Sequence, residues 1–238
     1  PHVTISPGGH LLIFGSGLDF KNPVYHWHTI IDMGDEWKYL VPVSEVSPAW
    51  RSIGFNDNGW LSGPSGFGYG DDDDATIIER TMSVFIRKTF EIQDKGNVGE
   101  AYLHIDYDDA FIAYLNGVEV ARDNIGKPGD QTPYNAAAIT DKEARMYRGG
   151  HPDAFLIENI ADYLLDGENV LAIQVHNQTI GSSDLSAIPF FTIGYRENPG
   201  FETSLSGLIN FVPVGLHTNF KIDAQGELIV LSRPDGEI

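Results

Sequence analysis

Two runs of aspartate carry the most chemistry in this sequence: Asp71, Asp72, Asp73 and Asp74 in one, and Asp106, Asp108 and Asp109 in the other. Carboxylates held close together present hard oxygen donors, which suit hard cations such as Ca²⁺. Consecutive aspartates reach one ion only where the chain turns, and the glycine-rich Gly66-Phe67-Gly68-Tyr69-Gly70 just before the first run supplies such a turn. Asp71, Asp72, Asp73 and Asp74, with Asp57 arriving from the preceding loop, are therefore the candidate metal ligands. The ligand spacing of an EF-hand is absent, so such a site would be irregular. The plainer alternative is a solvated acidic surface that keeps the chain soluble.

Other constellations are weaker. His26-Trp27-His28 in a strand would put both imidazoles on one face, where they could bind a metal; an aromatic-rich linker is the simpler reading. Asp108 and Asp109 stand just before a hairpin and Arg122 just after it, so hairpin geometry brings them together, either as an ion pair or as part of a binding site. Catalytic signatures are missing. There is no Gly-x-Ser-x-Gly elbow, no His-Glu-x-x-His and no phosphate-binding glycine loop followed by lysine. A non-catalytic chain is expected, with a glycosidase working through two of the carboxylates as the remote alternative.

The elements that would position these residues are strands. Short apolar runs separated by Gly, Pro and Asp recur throughout, with no long 3.6-residue period. Val84-Phe85-Ile86-Arg87-Lys88-Thr89-Phe90 reads as a strand with one face only partly covered. Asn116-Gly117, between two β-prone runs, predicts a type I′ hairpin over residues 112–121, which gives Asn116 a conformational role. One short helical turn is expected around residues 160–165, stopped at Gly167. The following Val170-Leu171-Ala172-Ile173-Gln174-Val175-His176 has the continuous apolarity of a central strand buried on both faces. Segments 122–152 and 177–188 are long polar loops, the usual seats of binding residues. Trp50 and Trp60 are expected to anchor the core.

Composition narrows the class. The 238 residues carry a formal charge of −19, which repels nucleic acid and anionic membranes. The absence of cysteine excludes disulfides and thiolate chemistry, and is compatible with a bacterial extracellular or cell-surface protein. No apolar stretch reaches the roughly 20 residues of a membrane span, so no membrane insertion is expected. The ends at Pro1 and Ile238 read as those of a mature or excised piece of a longer polypeptide.

An ordered set of segments carries a resemblance: Trp50, residues 55–60, Gly66 to Thr76, Val84 to Phe90, Ile105 to Ala110, Tyr114 to Arg122 and Gly167 to Asn177. Across residues 35–196 the chain resembles the galactose-binding-like jelly roll that accompanies glycoside hydrolase, phosphoesterase and spore-coat kinase domains in secreted bacterial proteins. The ends, 1–30 and 201–238, are similar to two parts of a lamin-tail domain, as though the jelly roll had been inserted in one of its loops. The resemblance implies an all-β chain: a jelly-roll β-sandwich with a second, smaller Ig-like or lamin-tail-like domain formed by the two chain ends. Strands would be wanting before Pro1 and after Ile238, which invites strand exchange with another chain.

It also implies binding at loop ends or on a concave sheet face. For carbohydrate, the residues offering an aromatic ring and groups for hydroxyls are Tyr69, Asp108, Asp109, Arg122, Asn124, His176, Asn177 and Asp184. The function implied is an extracellular binding or adhesion module, partnered by glycan or a neighbouring surface protein and stabilised by Ca²⁺. A structural spacer or assembly subunit of a larger surface protein or filament is the alternative.

Overall fold

The structure, a computed structural model, describes residues 13–14, 24–211 and 216–217. In chain order the strands are β1 (Ile13–Phe14), β2 (His26–Ile31), β3 (Glu36–Leu40), β4 (Leu61–Pro64), β5 (Phe67–Tyr69), β6 (Thr76–Ile77) and β7 (Ser83–Ile92). They continue with β8 (Val98–Tyr107), β9 (Ala110–Leu115), β10 (Val118–Asp123), β11 (Asp153–Ile157), β12 (Gly167–His176), β13 (Leu185–Tyr195) and β14 (Leu216–His217). The contacts divide the chain into two units, Val24–Asn210 and, separately, Pro1–Pro23 with Phe211–Ile238.

The larger unit is an all-β sandwich, somewhat wider than the 35–196 span expected from sequence. One sheet runs β10-β9-β12-β7-β3-β4 and the other β11-β8-β13-β5-β6, with β2 also on β13. All pairings in this unit are antiparallel except β5 with β6. Alternation along the strands sends Ile86, Leu103, Ile105, Phe111, Ile173, Val175 and Phe191 into the space between the sheets, where Trp37 and Phe67 fill the remaining volume. β12 lies between β9 and β7 and is buried from Asn169 to His176, as its unbroken apolar run predicts.

A second core covers the outside of the first sheet. Trp50, on a 3-10 turn at Pro48–Arg51, packs against Phe85, Tyr114 and Trp60. Both tryptophans are packing residues. Arg87, 4% exposed, is satisfied there by the carbonyls of Trp50 and Ser52 and by Asp57. The β9–β10 hairpin turns at Asn116 (φ 52°) and Gly117 (φ 91°), the positive-φ pair of a type I′ turn. The helical turn expected near residue 160 is a 3-10 turn, Ile160–Asp162, which buries Ile160.

Residues 26–28 lie in β2, paired antiparallel with β13, rather than in a linker. There His28 meets Phe201 edge to face and its Nδ1 accepts the Ser204 amide at 3.2 Å, so its ring is in structural use. Of the smaller unit, the described residues are β1 and β14, which pair in parallel with Ile13 opposite Leu216. The remainder of the two segments likened to a lamin tail, residues 1–12, 15–23, 212–215 and 218–238, lies outside the described residues. Among the described residues, no helix is long and apolar enough to cross a membrane.

A candidate metal centre at one end of the sandwich

The turn between β8 and β9 is fixed on both sheets before any side chain is considered. The Asp108 amide donates to the Ser186 carbonyl on β13 (3.1 Å), and the Asp109 amide to the His176 carbonyl at the end of β12 (3.0 Å). The Asp109 carboxylate then collects the backbone amides of Lys142 and Gln178, both at 2.7 Å. Asp106 collects those of Arg145 (2.9 Å) and Met146 (2.7 Å). These charge-assisted bonds hang the long loop after β10 from the β8–β9 turn and bring Glu143 over it.

Asp71 and Asp184 enter from the other side. Gly70, at φ 112°, leaves β5 in a conformation that L side chains rarely adopt, and a Cβ there would meet Asp184 Cβ at 2.7 Å. The close approach draws the start of the β5–β6 loop against the residue that precedes β13.

The result is a nest of carboxylates. Asp108, Glu143 and Asp184 each offer an oxygen within 4.8 Å of the others. Oxygens on opposite sides of one Ca²⁺ ion stand about 5 Å apart, so this spacing fits ligands of a single ion. Asp108 is 2% exposed, yet its Oδ1 has no hydrogen-bond partner; Asp71 Oδ2 is likewise buried and unpartnered. Burial, followed by the charges of Asp109, Asp184, Glu143 and Asp71, pushes the Asp108 carboxyl up to about 8. Burial and the charges of Asp184, Asp73 and Glu143 push Asp71 up to about 6. Asp74 is pushed up to about 8 by burial and by Asp73 and Asp71. Burial and mutual repulsion both oppose ionisation of these carboxyls, and a cation bound among them would offset both. The donors are all oxygen, which fits a hard cation such as Ca²⁺ and not a thiolate- or imidazole-seeking metal.

The structure sorts the residues expected from sequence. Asp108 and Asp184 meet in the nest, Asp71 lies within the fields of Asp184 and Glu143, and Tyr69 lies within the field of Asp108, its hydroxyl accepting from Asn177 Nδ2 at 2.9 Å. Asp109 positions the loop. Asp72, at φ 63°, makes the turn and is exposed, while Asp73 and Asp74 lie farther along the same loop.

Asp57 is a correction: its carboxylate is taken by Arg87 on the outer face of the first sheet, so it supplies no ligand to the β5–β6 loop. Arg122 is another. Its guanidinium grips Glu119 in a bidentate pair at 2.8 and 2.9 Å and caps the carbonyls of Ile125 and Asp130, leaving Asp108 and Asp109 unpaired by it. Asn124, at φ 58°, ties the Asp109 carbonyl to Thr140 through both ends of its amide. The His176 ring faces Phe85 on the outside of β12, with Nδ1 at 3.0 Å from the Ala136 carbonyl, and burial lowers its pKa to about 4. Glu143 was not singled out by sequence. The only signal for it is its place in a long polar loop.

No protein-family profile matches the sequence, and no curated protein matches it. Among solved structures, the chain is similar to β-glucuronidase 2 of Bacteroides uniformis, at 18% identity and a TM-score of 0.44 over 70% of this chain and 18% of that one. It is also similar to a glycosyl hydrolase family 2 member from Bacteroides cellulosilyticus DSM 14838, at 14% identity and a TM-score of 0.45 over 71% of this chain and 21% of that one. A β-glucuronidase from an uncultured Clostridium sp. is matched at 14% identity and a TM-score of 0.43, over 71% of this chain and 29% of that one. The chain thus spans less than a third of each enzyme, and likeness at this level settles nothing about activity.

Proposed function

We propose that the sandwich is a non-catalytic binding module of a bacterial extracellular or cell-surface protein, held in its working shape by Ca²⁺ at one end and partnered by glycan or a neighbouring surface protein. The observation that carries this reading is Asp108: a carboxylate 2% exposed, with one oxygen unpartnered and an oxygen within 4.8 Å of those offered by Glu143 and Asp184. A buried charge left in that state is costly, and a cation there converts the cost into a clamp across the β8–β9 turn, the long loop and the start of β13. Asp71 completes the set from the β5–β6 loop. The resemblance of the two chain ends leads us to read the smaller unit as a lamin-tail-like β-domain, and strand exchange through it is part of the same proposal.

The test is a thermal melt in Ca²⁺ and in chelator, with a panel of polysaccharides added to each. An ion bound only by the native state stabilises it by about 2.7 kcal/mol at a hundredfold excess over Kd, so the melting temperature is expected to rise by several degrees with Ca²⁺ and further with the recognised glycan. Identical melts with Ca²⁺ and chelator would remove the cation from the reading. A Ca²⁺ effect with no response to glycan would shift the partner to protein.

A further inference from the structure

The outer face of the first sheet has an unmet demand that involves none of the carboxylates of the metal centre. The alternation that sends Ile173 and Val175 inward turns Gln174 outward, onto the face it shares with its cross-strand partners Phe85 and Ile112. Gln174 is 2% exposed, and its Nε2 has no hydrogen-bond partner. With Arg51, Tyr114 and Thr132 it lines a recess of about 20 Å³, room for one hydroxyl or one water. The recess shares Pro48, Arg51, Tyr114 and Gln131 with a hollow of about 660 Å³ against the β9–β10 hairpin. It shares Glu45, Val46, Pro48 and Gln131 with another of about 430 Å³ that reaches Pro133. The three form one groove, joined at the recess.

Both walls are held by groups outside the groove's own chemistry. One is the 3-10 turn Pro48–Arg51, anchored by Trp50 in the second core. The other is the start of the long loop, where Arg122 bonds the Ile125 and Asp130 carbonyls and Thr132 Oγ1, and Glu119 Oε2 accepts the Gly129 amide. A groove fixed in advance loses little freedom on binding. Its polar groups are mixed: Arg51 and Gln174 donate, Glu45 accepts, and the exposed Gln131 amide does both. Between them stand Val46, Pro48, Val118 and Pro128. An apolar frame bearing groups that both donate and accept meets such a lining, which is the chemistry of a pyranose ring and its hydroxyls. Arg51 lies over the Tyr114 ring at 4.5 Å and has no ion-pair partner among the described residues, but the exposed Glu45 and Asp130 on the rims oppose a ligand of negative charge.

We propose that this groove binds an uncharged pyranose unit of a glycan, one hydroxyl of which enters the recess and accepts from Gln174 Nε2. The inference rests on the glycan partner of the proposed function and gives that partner a site.

Affinity electrophoresis of the full chain in Ca²⁺, through gels containing mannan, galactan, xylan, β-glucan or polygalacturonate, reads the binding. Retardation by at least one of the four neutral polysaccharides and none by polygalacturonate is expected. Gln174→Met, which keeps the bulk and removes the donor, and Gln131→Ala, at an exposed position that leaves the core untouched, are each expected to weaken that binding about tenfold at an unchanged melting temperature. Full affinity in both variants overturns the groove, with water alone serving Gln174, and leaves the glycan reading standing elsewhere on the chain. Retardation by polygalacturonate alone overturns the uncharged class. No retardation by any of the five overturns the groove and the glycan partner together, while the response of the melt to Ca²⁺ still judges the metal centre.

Discussion

Arg122 shows how far residue identity alone reaches. Read from sequence it belonged with the β8–β9 aspartates, but its partner is Glu119, three residues away on the same strand, where a β-bulge between Glu119 and Ala121 turns the two side chains together. With five donors spread over Glu119, Thr132 and the carbonyls of Ile125 and Asp130, Arg122 belongs to the frame of the long loop. Arg122→Ala is expected to cost about 2–3 kcal/mol in urea denaturation and to leave Ca²⁺ stoichiometry unchanged. Loss of an ion in that variant would put Arg122 back in the site.

Two histidines set an acid limit at the same scale. Burial lowers His104 and His176 to about 4, against 6.5 for a free imidazole. The unfolded chain therefore takes up protons that the folded chain refuses, and stability falls as pH drops from about 6.5 toward 4, by up to about 1.4 kcal/mol per pH unit for each. Comparing denaturation at pH 7 and pH 5 in chelator, the acid-induced loss is expected to be smaller in His104→Asn than in the unmodified chain. Equal losses would show that His104 does not titrate in this window.

At the level of elements, legibility followed the strength of local signals. Asn116-Gly117 announced its hairpin because two adjacent positive-φ residues suit few other turns, and the unbroken apolar run 170–176 announced a central strand. β2 was missed because His26, Trp27 and His28 are only half-buried and read as mixed in polarity. The nest was half legible: aspartates in a row are visible, whereas the convergence of Glu143 and Asp184 depends on loops hung from Asp106 and Asp109, which no spacing encodes. Asn116 also does more than turn the chain. Its amide donates to the Tyr163 carbonyl and Asn169 Oδ1, and accepts the Val170 amide, each at 2.8 Å, bolting the hairpin to the start of β12 and the turn before it. Asn116→Gly keeps the backbone conformation and loses the bolt. Asn116→Ala loses both, and is expected to be the less stable by about 1 kcal/mol in thermal or chemical denaturation, with equal stability pointing to the side-chain bonds as the whole effect.

For the whole molecule, the all-β class and the sandwich were readable from strand-length apolar runs, and the acidic balance of −19 has a physical counterpart in a carboxylate end that repels itself unless a cation is present. The second sheet carries this burden at its β5, β8 and β13 end, and the first sheet instead spends its outer face on the Trp50 cluster. The two faces thus have different chemistry, one closed by aromatic packing and one closed by charge.

The parallel pair of Ile13–Phe14 with Leu216–His217 has a kinetic meaning. Its partners are separated by roughly 200 residues, and closing so long a loop in an unfolded chain carries an entropy penalty that grows with the logarithm of its length. Once the sandwich has folded, much of that penalty is gone, because the chain enters through β2 and leaves beside it: the Thr29 amide donates to the Ser204 carbonyl at 2.9 Å. The entropy of loop closure therefore favours a folding order of inside first, with the pairing of the two ends after it.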